Sequence, residues 1–403
     1  MTDQLLVTFN AGSSTVKIGL FAVDGQRASR VGKGMIDFRK APLRFELSEG
    51  PDRFDIELQA AASDELDGVL DEAFKRLSWH FDLSNVAAIG HRVVHGGDLF
   101  DGPVWIDDAA IANIESLVPL APLHQPQALR LIRAIRRLRP ELPQTASFDT
   151  AFHRSNAEIA RRFALPRDLY EAGIKRYGFH GLSYQFIAGA LARDWPDLAQ
   201  GKIVIAHLGS GASLCAVHKG QSRDTSMAFS TLDGIPMATR CGALDPGVLL
   251  YLLRNGKDAD AIEDMLYHSS GLLGVSAISA DSRELLASEA PEAKQAIDMF
   301  TLRIAGEVSR LSATLGGLDA IVFTAGIGEH EAAIRADVCT RLMWLGVDLD
   351  PEANNRNEVT ISSAASRVPV LVIPTDEEQV IASDALRVIH PPHDHRNRPD
   401  DSH

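Results

Sequence analysis

The sequence predicts two closely packed α/β domains built on one repeated plan, with a cleft between them. Three observations carry this. A chain of 403 residues that is 45% hydrophobic can bury more than one core. A strand, a Gly/Ser turn and a second strand open the chain, and the same pattern returns about 200 residues later, near half its length. No Gly/Ser-rich or Pro-rich linker separates the halves.

The first copy of the pattern is Leu5 to Phe9, the polar loop Asn10 to Thr15, and Val16 to Phe21, which reads as a β-hairpin. A helix is expected over Asp64 to Leu77, where Leu66, Leu70, Phe74 and Leu77 fall at helical spacing. Val86 to Ile89 reads as a short buried strand. Pro126 to Leu138 reads as a helix with proline near its start and basic residues towards its end, as the helix dipole favours. A strand ends over Ala146 to Phe148. The second copy runs from Ile203 to Val217. Helices follow from Pro246 to a stop at Gly256, and from about Pro291 to Leu315 before Gly316-Gly317. A strand over Ala320 to Phe323 runs into Thr-Ala-Gly-Ile-Gly-Glu329. A last strand, Pro369 to Ile373, leads to a helix beginning near Glu377. The tail from Pro391 to His403 is rich in Pro, His, Asp and Arg. It is expected to be disordered rather than a metal site.

Composition narrows the function classes. A net charge of −14 argues against nucleic acid or an anionic membrane as partner. The apolar runs fall short of the roughly 20 residues that a membrane-spanning helix needs. Met-Thr-Asp-Gln carries no basic stretch before an apolar one, so a cytoplasmic protein is expected. Three scattered cysteines, Cys215, Cys241 and Cys339, make neither a disulfide framework nor a metal knuckle.

Three Gly-rich turns each follow an apolar strand, at Asn10 to Thr15, Gly209 to Gly211 and Gly326 to Gly328. Such turns present backbone N–H groups that can surround phosphate oxygens, and they also serve as ordinary hairpins. The chain lacks both the G-x-x-x-x-G-K-[ST] loop and a G-x-G-x-x-G opening a helix, which disfavours a P-loop enzyme and a dinucleotide site. Lys17 shares a strand face with Thr15. It can reach a phosphate or stand as a solvated strand lysine.

His91 and His95 frame Arg92 in His-Arg-Val-Val-His-Gly-Gly, which lacks the glutamate of a zinc-binding helix. Arg92 beside the glycine turn reads better as a clamp for a carboxylate or phosphate. Asp149 lies just past a strand end, where α/β proteins place function. His180 stands between glycines, and Arg240 lies in a loop just before a helix.

Taken together and in order, these segments resemble the acetate kinase family. The resemblance runs from about Leu5 to Leu386 through NAGSSTVK, GHRVVHGG, APLHQP, FDTAFH, YGFHG, HLGSG, GIPMATRCGALDP, SGLLGVS with the following DSR, TAGIGE and PTDEEQVIA. It implies a duplicated ribonuclease-H-like fold of the actin/Hsp70 type, with the active site in an interdomain cleft. The expected division is residues 1–150, completed by a C-terminal helix at 377–390, and a nucleotide-binding domain at 151–376. A homodimer is also implied.

The implied reaction is reversible Mg²⁺-dependent in-line phosphoryl transfer from ATP to acetate, giving acetyl phosphate and ADP, with Mn²⁺ as an alternative ion. By the resemblance, Asn10 and Glu377 hold the metal and Lys17 approaches the phosphates. Arg92 binds the substrate carboxylate, with Val94, Leu123 and Phe179 walling its alkyl end and His124 nearby. Asp149 is the acidic catalytic position, and His180 and Arg240 stabilise the transition state. His207, Leu208, Gly209, Ser210 and Gly211, then Asp281, Ser282 and Arg283, then Gly326, Ile327, Gly328, Glu329 and His330 line the nucleotide.

The chain departs from the family pattern in places. Ser210 replaces an asparagine, Leu182 and Tyr184 change Gly-Thr-Ser-His, and Gln125 follows His124. Ala238 stands for glycine, Asp376 for asparagine, His330 for asparagine and Thr231 for proline. Ser210 and His330 leave the nucleotide preference open, and Thr231 leaves the acid open. A propionate or butyrate kinase is therefore the near alternative. A sugar kinase, or an actin- or Hsp70-like ATP-binding protein that does no chemistry on a small anion, is the distant one. An apolar wall does not suit a sugar, and a conformational device has no use for Arg92, His180 and Arg240 around a small anion.

Overall fold

The opening hairpin forms because Val7, Phe9, Ile18 and Leu20 alternate on one face and bury together. The computed structural model describes residues 4–12, 15–60 and 66–391. Ser13 and Ser14 of the first Gly/Ser loop, Asp64 at the expected start of the first helix, and the tail beyond Pro391 lie outside the described residues.

Strands β1 (Gln4–Ala11) and β2 (Thr15–Asp24) pair antiparallel. β3 (Arg27–Asp37), β4 (Arg44–Glu49) and β5 (Asp52–Glu57) extend the antiparallel run. On the other side of β1 lie β6 (Val86–Val93) and β8 (Gln144–Phe148), both parallel, with β7 (Val104–Trp105) at the edge. The sheet order is β5-β4-β3-β2-β1-β6-β8-β7. Helices Leu66–Leu77 and Gln125–Leu138 bury Phe74, Leu77, Leu131 and Ile135 against one face. The helix Glu377–Ile389 covers the other through Ala382, Ala385 and Leu386, which meet Leu6, Phe21 and Ala88.

The second sheet is β11-β10-β9-β12-β13, from β9 (Lys202–Leu208), β10 (Ala212–His218), β11 (Gln221–Thr225), β12 (Ala320–Thr324) and β13 (Val370–Val372). Its order and strand directions match β3-β2-β1-β6-β8, the inner part of the first sheet. The repeat in the sequence is thus a repeat of topology. One face packs on the helix Gly181–Asp194 through Tyr184, Ile187 and Leu191. The long helix Pro291–Leu315 packs on the sheet as well and buries Phe300, Ile304, Val308 and Leu311. It starts with Pro291 in its first turn and stops at Gly316 in the left-handed conformation.

By contacts the chain divides into two units. One runs to Phe148 and resumes at Glu377, and the other is Asp149–Asp376. Among the described residues, no helix is long and apolar enough to cross a membrane.

Two expectations need correction. The third Gly-rich turn is not a turn. Ala325 takes a positive φ of 65° and the chain enters a short helix, Ala325–His330. Glycines at 326 and 328 mask that helix in the sequence because they are poor helix formers. The strand expected to end at Ile89 continues to Val93, because β1 and β8 hydrogen-bond it on both sides. Arg92 therefore projects from a strand held on two edges, and the Gly96-Gly97 turn comes after it.

Candidate active site

In the first unit, Asn10, the next-to-last residue of β1, pairs with Lys17 on β2, and β6 lies parallel to β1 on its other side. The guanidinium of Arg92 donates to Asn10 Oδ1 at 3.0 Å. Asn10 Nδ2 donates to Glu377 Oε2 at 2.8 Å and to Glu378 Oε1 at 3.2 Å. One buried amide thus ties the arginine to two carboxylates at the start of the C-terminal helix. Small residues make this approach feasible. A Cβ on Gly90 would lie 2.7 Å from the Ile381 side chain, and one on Gly19 would lie 3.2 Å from Glu378 Cβ. Lys17 is exposed on its strand face, and Lys17 and Glu378 line a cavity of about 500 Å³ over β2 to β5.

The His-x-x-x-His segment supports this corner rather than binding metal with two histidines. His91 Nε2 meets Gln144 Oε1 at 2.7 Å, and Gly97 N donates to His95 Nδ1 at 3.0 Å. Burial pushes both imidazoles down to about 4, so both are neutral at pH 7. Gln125, a departure in the sequence, is fully buried and grips the His95 backbone at both N (3.2 Å) and O (2.9 Å). Val94 is buried, while Leu123 is 37% exposed just before His124, which caps the helix Gln125–Leu138.

In the second unit, Asp149 follows β8 directly and is buried. The loop carrying Phe179 and His180 is fitted against it by glycines. Gly181 N donates to Asp149 O at 3.0 Å, and a Cβ on Gly181 would stand 2.0 Å from that oxygen. Gly178 has φ of +89°, and a Cβ there would meet the His153 ring at 2.5 Å. His153 is buried with burial pushing it down to about 4, and its Nε2 reaches Phe179 O at 3.0 Å. His180 itself has a left-handed backbone, φ 56°, at the N-cap of the helix Gly181–Asp194. That conformation is uncommon for a non-glycine residue and is found where surrounding structure enforces it, often at functional sites.

The β9–β10 turn, Gly209 to Gly211, faces this histidine. A Cβ on Gly211 would lie 3.5 Å from both His180 Nε2 and Arg240 NH1. Without a side chain at Gly211, that space stays open between a guanidinium and an imidazole edge. His207 stacks on His180 with ring centroids 4.2 Å apart. A Cβ on Gly209 would lie 3.9 Å from His207 Nε2.

Arg240 is set by a clasp that the SGLLG motif makes. Ser270 N, Leu272 N and Leu273 N donate to the carbonyls of Thr239, Met237 and Ala238 at 2.9, 2.8 and 3.0 Å. A Cβ on Gly271 would sit 2.1 Å from Met237 O, so a glycine is required there. Ala238 N also donates to Ser210 O at 3.2 Å, which ties the arginine loop to the glycine turn. Arg240 NH1 donates to the carbonyl of Thr231 at 3.1 Å, a role that a proline carbonyl would serve equally.

The remaining predicted residues are placed less centrally. Asp281 caps the helix Ser282–Ala287 and pairs with Arg283 at 2.5 Å, and that guanidinium holds its carboxyl below the usual range. Glu329 turns its carboxylate back onto Ala325 N (2.8 Å) and Thr375 N (3.2 Å). Gly328 O receives a 2.9 Å bond from the buried Arg335, which anchors the segment carrying Gly326, Ile327 and His330.

Sequence reasoning missed the supporting residues: Glu378 beside Glu377, Gly271 under the arginine loop, and the serines on the two stacked histidines. Ser183 Oγ meets His207 Nδ1 at 2.8 Å, and Ser213 Oγ meets His180 Nδ1 at 2.8 Å. Tyr184, noted only as a departure, was the one signal in the sequence for that network.

The chain is similar to known proteins over nearly its whole length. The acetokinase family profile matches residues 5–383. An acetate kinase of Rhodopseudomonas palustris is 47% identical over 96% of this chain and 99% of that protein. A propionate kinase structure from Francisella tularensis superposes with a TM-score of 0.87 at 34% identity, over 94% of this chain and 98% of that one. An acetate kinase structure from Porphyromonas gingivalis gives 0.85 at 33% identity, over 96% and 100%.

Proposed function

Because the chain belongs to the acetokinase family, we propose that it transfers a phosphoryl group reversibly from ATP to acetate, giving acetyl phosphate and ADP. The observation that carries this reading is the gap at Gly211, faced by His180 Nε2 and the Arg240 guanidinium at one distance, 3.5 Å. An in-line transfer spreads negative charge over three phosphoryl oxygens, and catalysis is mostly positioning and charge stabilisation. Two N–H donors converging on a glycine turn suit that task. A carboxylate is already ionised at neutral pH, so the acceptor needs no base. One of its oxygens bonds to the γ-phosphorus as the bond to the β–γ bridging oxygen breaks, and that electron pair leaves on ADP.

Arg92 is proposed to fix the acceptor carboxylate, with Val94, Leu123 and Phe179 limiting its alkyl end. His207 to Gly211, Asp281 to Arg283 and Gly326 to His330 are proposed to line the nucleotide, with Lys17 at its phosphates. Asp149 is proposed to orient the cations around the transfer. Asn10 and Glu377 fit a Mg²⁺ role, since that ion takes one or two carboxylates and draws its other ligands from phosphate and water. Mg²⁺, when bound, would offset charge on the β- and γ-phosphates.

The acid is tested by acyl hydroxamate formation with acetate, propionate and butyrate. Acetate is expected to give the highest kcat/KM, and a higher value for propionate would overturn the acetate assignment.

A homodimer is part of this proposal. The helix Pro246–Arg254 buries none of its residues, and Val248, Leu250, Tyr251 and Leu253 are 40 to 65% exposed. Apolar side chains exposed all round one helix suit cover by a second copy of the chain. Sedimentation is expected to show twice 43.7 kDa, and a single 43.7 kDa species would contradict pairing.

A further inference from the structure

We propose that Tyr184 and Ser213 are positioning residues that hold His180 as a neutral imidazole protonated on Nε2, the edge facing Gly211. The proposal rests on the assignment of His180 to the transfer step.

The available protons decide the tautomer. Tyr184 OH meets Ser213 Oγ at 2.5 Å, and Ser213 Oγ meets His180 Nδ1 at 2.8 Å. Tyr184 and Ser213 are both fully buried. Two contacts can use two protons. With Nδ1 bare, the phenol donates to the serine and the serine donates to Nδ1, and both protons are used. With a proton on Nδ1, three donors share two contacts. One buried proton then has no acceptor, whichever way the hydroxyls turn, and such a group is costly to leave unmade. The neutral ring must therefore carry its proton on Nε2. Charging the ring breaks the chain.

The surroundings agree. Burial pushes the Tyr184 phenol well above its usual range, so it stays a donor. Titratable and charged groups around the pair include His207, stacked on His180; Arg240, across the gap at Gly211; and the buried Asp149 behind Gly181. Cys215, Glu307 and the His153 ring lie by Tyr184, and burial pushes the Cys215 thiol up, so it stays uncharged. Arg240 beside the ring also disfavours an imidazolium. The arrangement gives His180 a hydrogen-bond donor for a phosphoryl oxygen without a titrating charge at neutral pH.

The test is the imidazole ¹⁵N spectrum of histidine-labelled protein from pH 5 to 9, with His180 assigned by the signals lost in His180→Gln. The wild type is expected to show Nε2 protonated and Nδ1 bare. Tyr184→Phe frees the serine to accept from Nδ1. It is expected to populate the Nδ1–H form and to raise the His180 titration midpoint by about one pH unit. Ser213→Thr keeps the hydroxyl and should keep the wild-type pattern, while Ser213→Ala should lose it. Thermal unfolding curves establish that each variant is folded. A protonated Nδ1 in the wild type, or a midpoint unmoved in both Tyr184→Phe and Ser213→Ala, would overturn the proposal. Full kcat in His180→Gln would instead remove His180 from the transfer step, and the spectra would still decide the role of Tyr184 and Ser213.

Discussion

Replacing Arg240 with alanine should lower kcat by about 10²- to 10³-fold, the usual cost of removing one preorganised donor from a charge-stabilising site. The structure makes the expected effect specific. Arg240 stands on a loop held by three backbone bonds from Ser270, Leu272 and Leu273. Its guanidinium is further fixed by Thr231 O and lies 3.5 Å from the position a Gly211 Cβ would take. Alanine removes the guanidinium but leaves that clasp intact, so the protein should stay folded. The loss should fall on kcat more than on KM for ATP, because the interaction matters most as charge spreads over the phosphoryl oxygens. Lysine should restore little, since an ammonium cannot reproduce the planar fork. Steady-state kinetics on the folded variants checks this, and an Arg240→Ala enzyme with wild-type kcat would remove the residue from the transfer step.

Replacing Arg92 with alanine should raise KM for the carboxylic acid about 10- to 100-fold, the range expected from losing a hydrogen bond to a charged group. KM for ATP should change far less. The reason lies in how Arg92 is held. β6 is hydrogen-bonded on both edges, and Asn10 accepts from the guanidinium at 3.0 Å, so the side chain is preset for an anion before one arrives. Because Asn10 also donates to Glu377, the variant loosens the corner proposed for Mg²⁺, and some fall in kcat is expected with it. Substrate titrations of both reactants decide the matter, and an equal rise in both KM values would take Arg92 out of the carboxylate role.

Much of this frame was legible in the sequence where one residue type has a single physical reading. The helix Pro291–Leu315 begins and ends as its proline and Gly316-Gly317 indicate. Both hairpins stand where apolar runs flank a Gly/Ser turn. β3 to β5 are absent from the sequence-based expectation for two different reasons. In β3 the charged residues Arg27, Arg30 and Lys33 fall three apart with glycines at 32 and 34, which breaks any period of two. β4 and β5 do carry that period, as Phe45 and Leu47 and then Phe54 and Ile56 alternate with polar residues, but over only six residues each. The helix at Ala325 was hidden by its glycines.

The site divides the same way. Charged residues between glycines, such as His180 and Arg240, stand out in the chain. The groups that aim them do not. Ser213 is 33 residues from His180 and reads as an ordinary strand serine until β10 brings it to Nδ1. Gly271 is one glycine of SGLLGVS with no local sign of its task, yet it is required because Met237 O would lie 2.1 Å from its Cβ.

The central claim is that this chain phosphorylates a small carboxylate. The most direct measurement is incubation with ATP, Mg²⁺ and acetate in the presence of hydroxylamine, which traps acetyl phosphate as the coloured hydroxamate. The predicted result is hydroxamate in step with ADP release, dependent on acetate and nearly abolished in Arg240→Ala. No hydroxamate with acetate, propionate or butyrate, whether ATP, GTP or pyrophosphate is the donor, would contradict it.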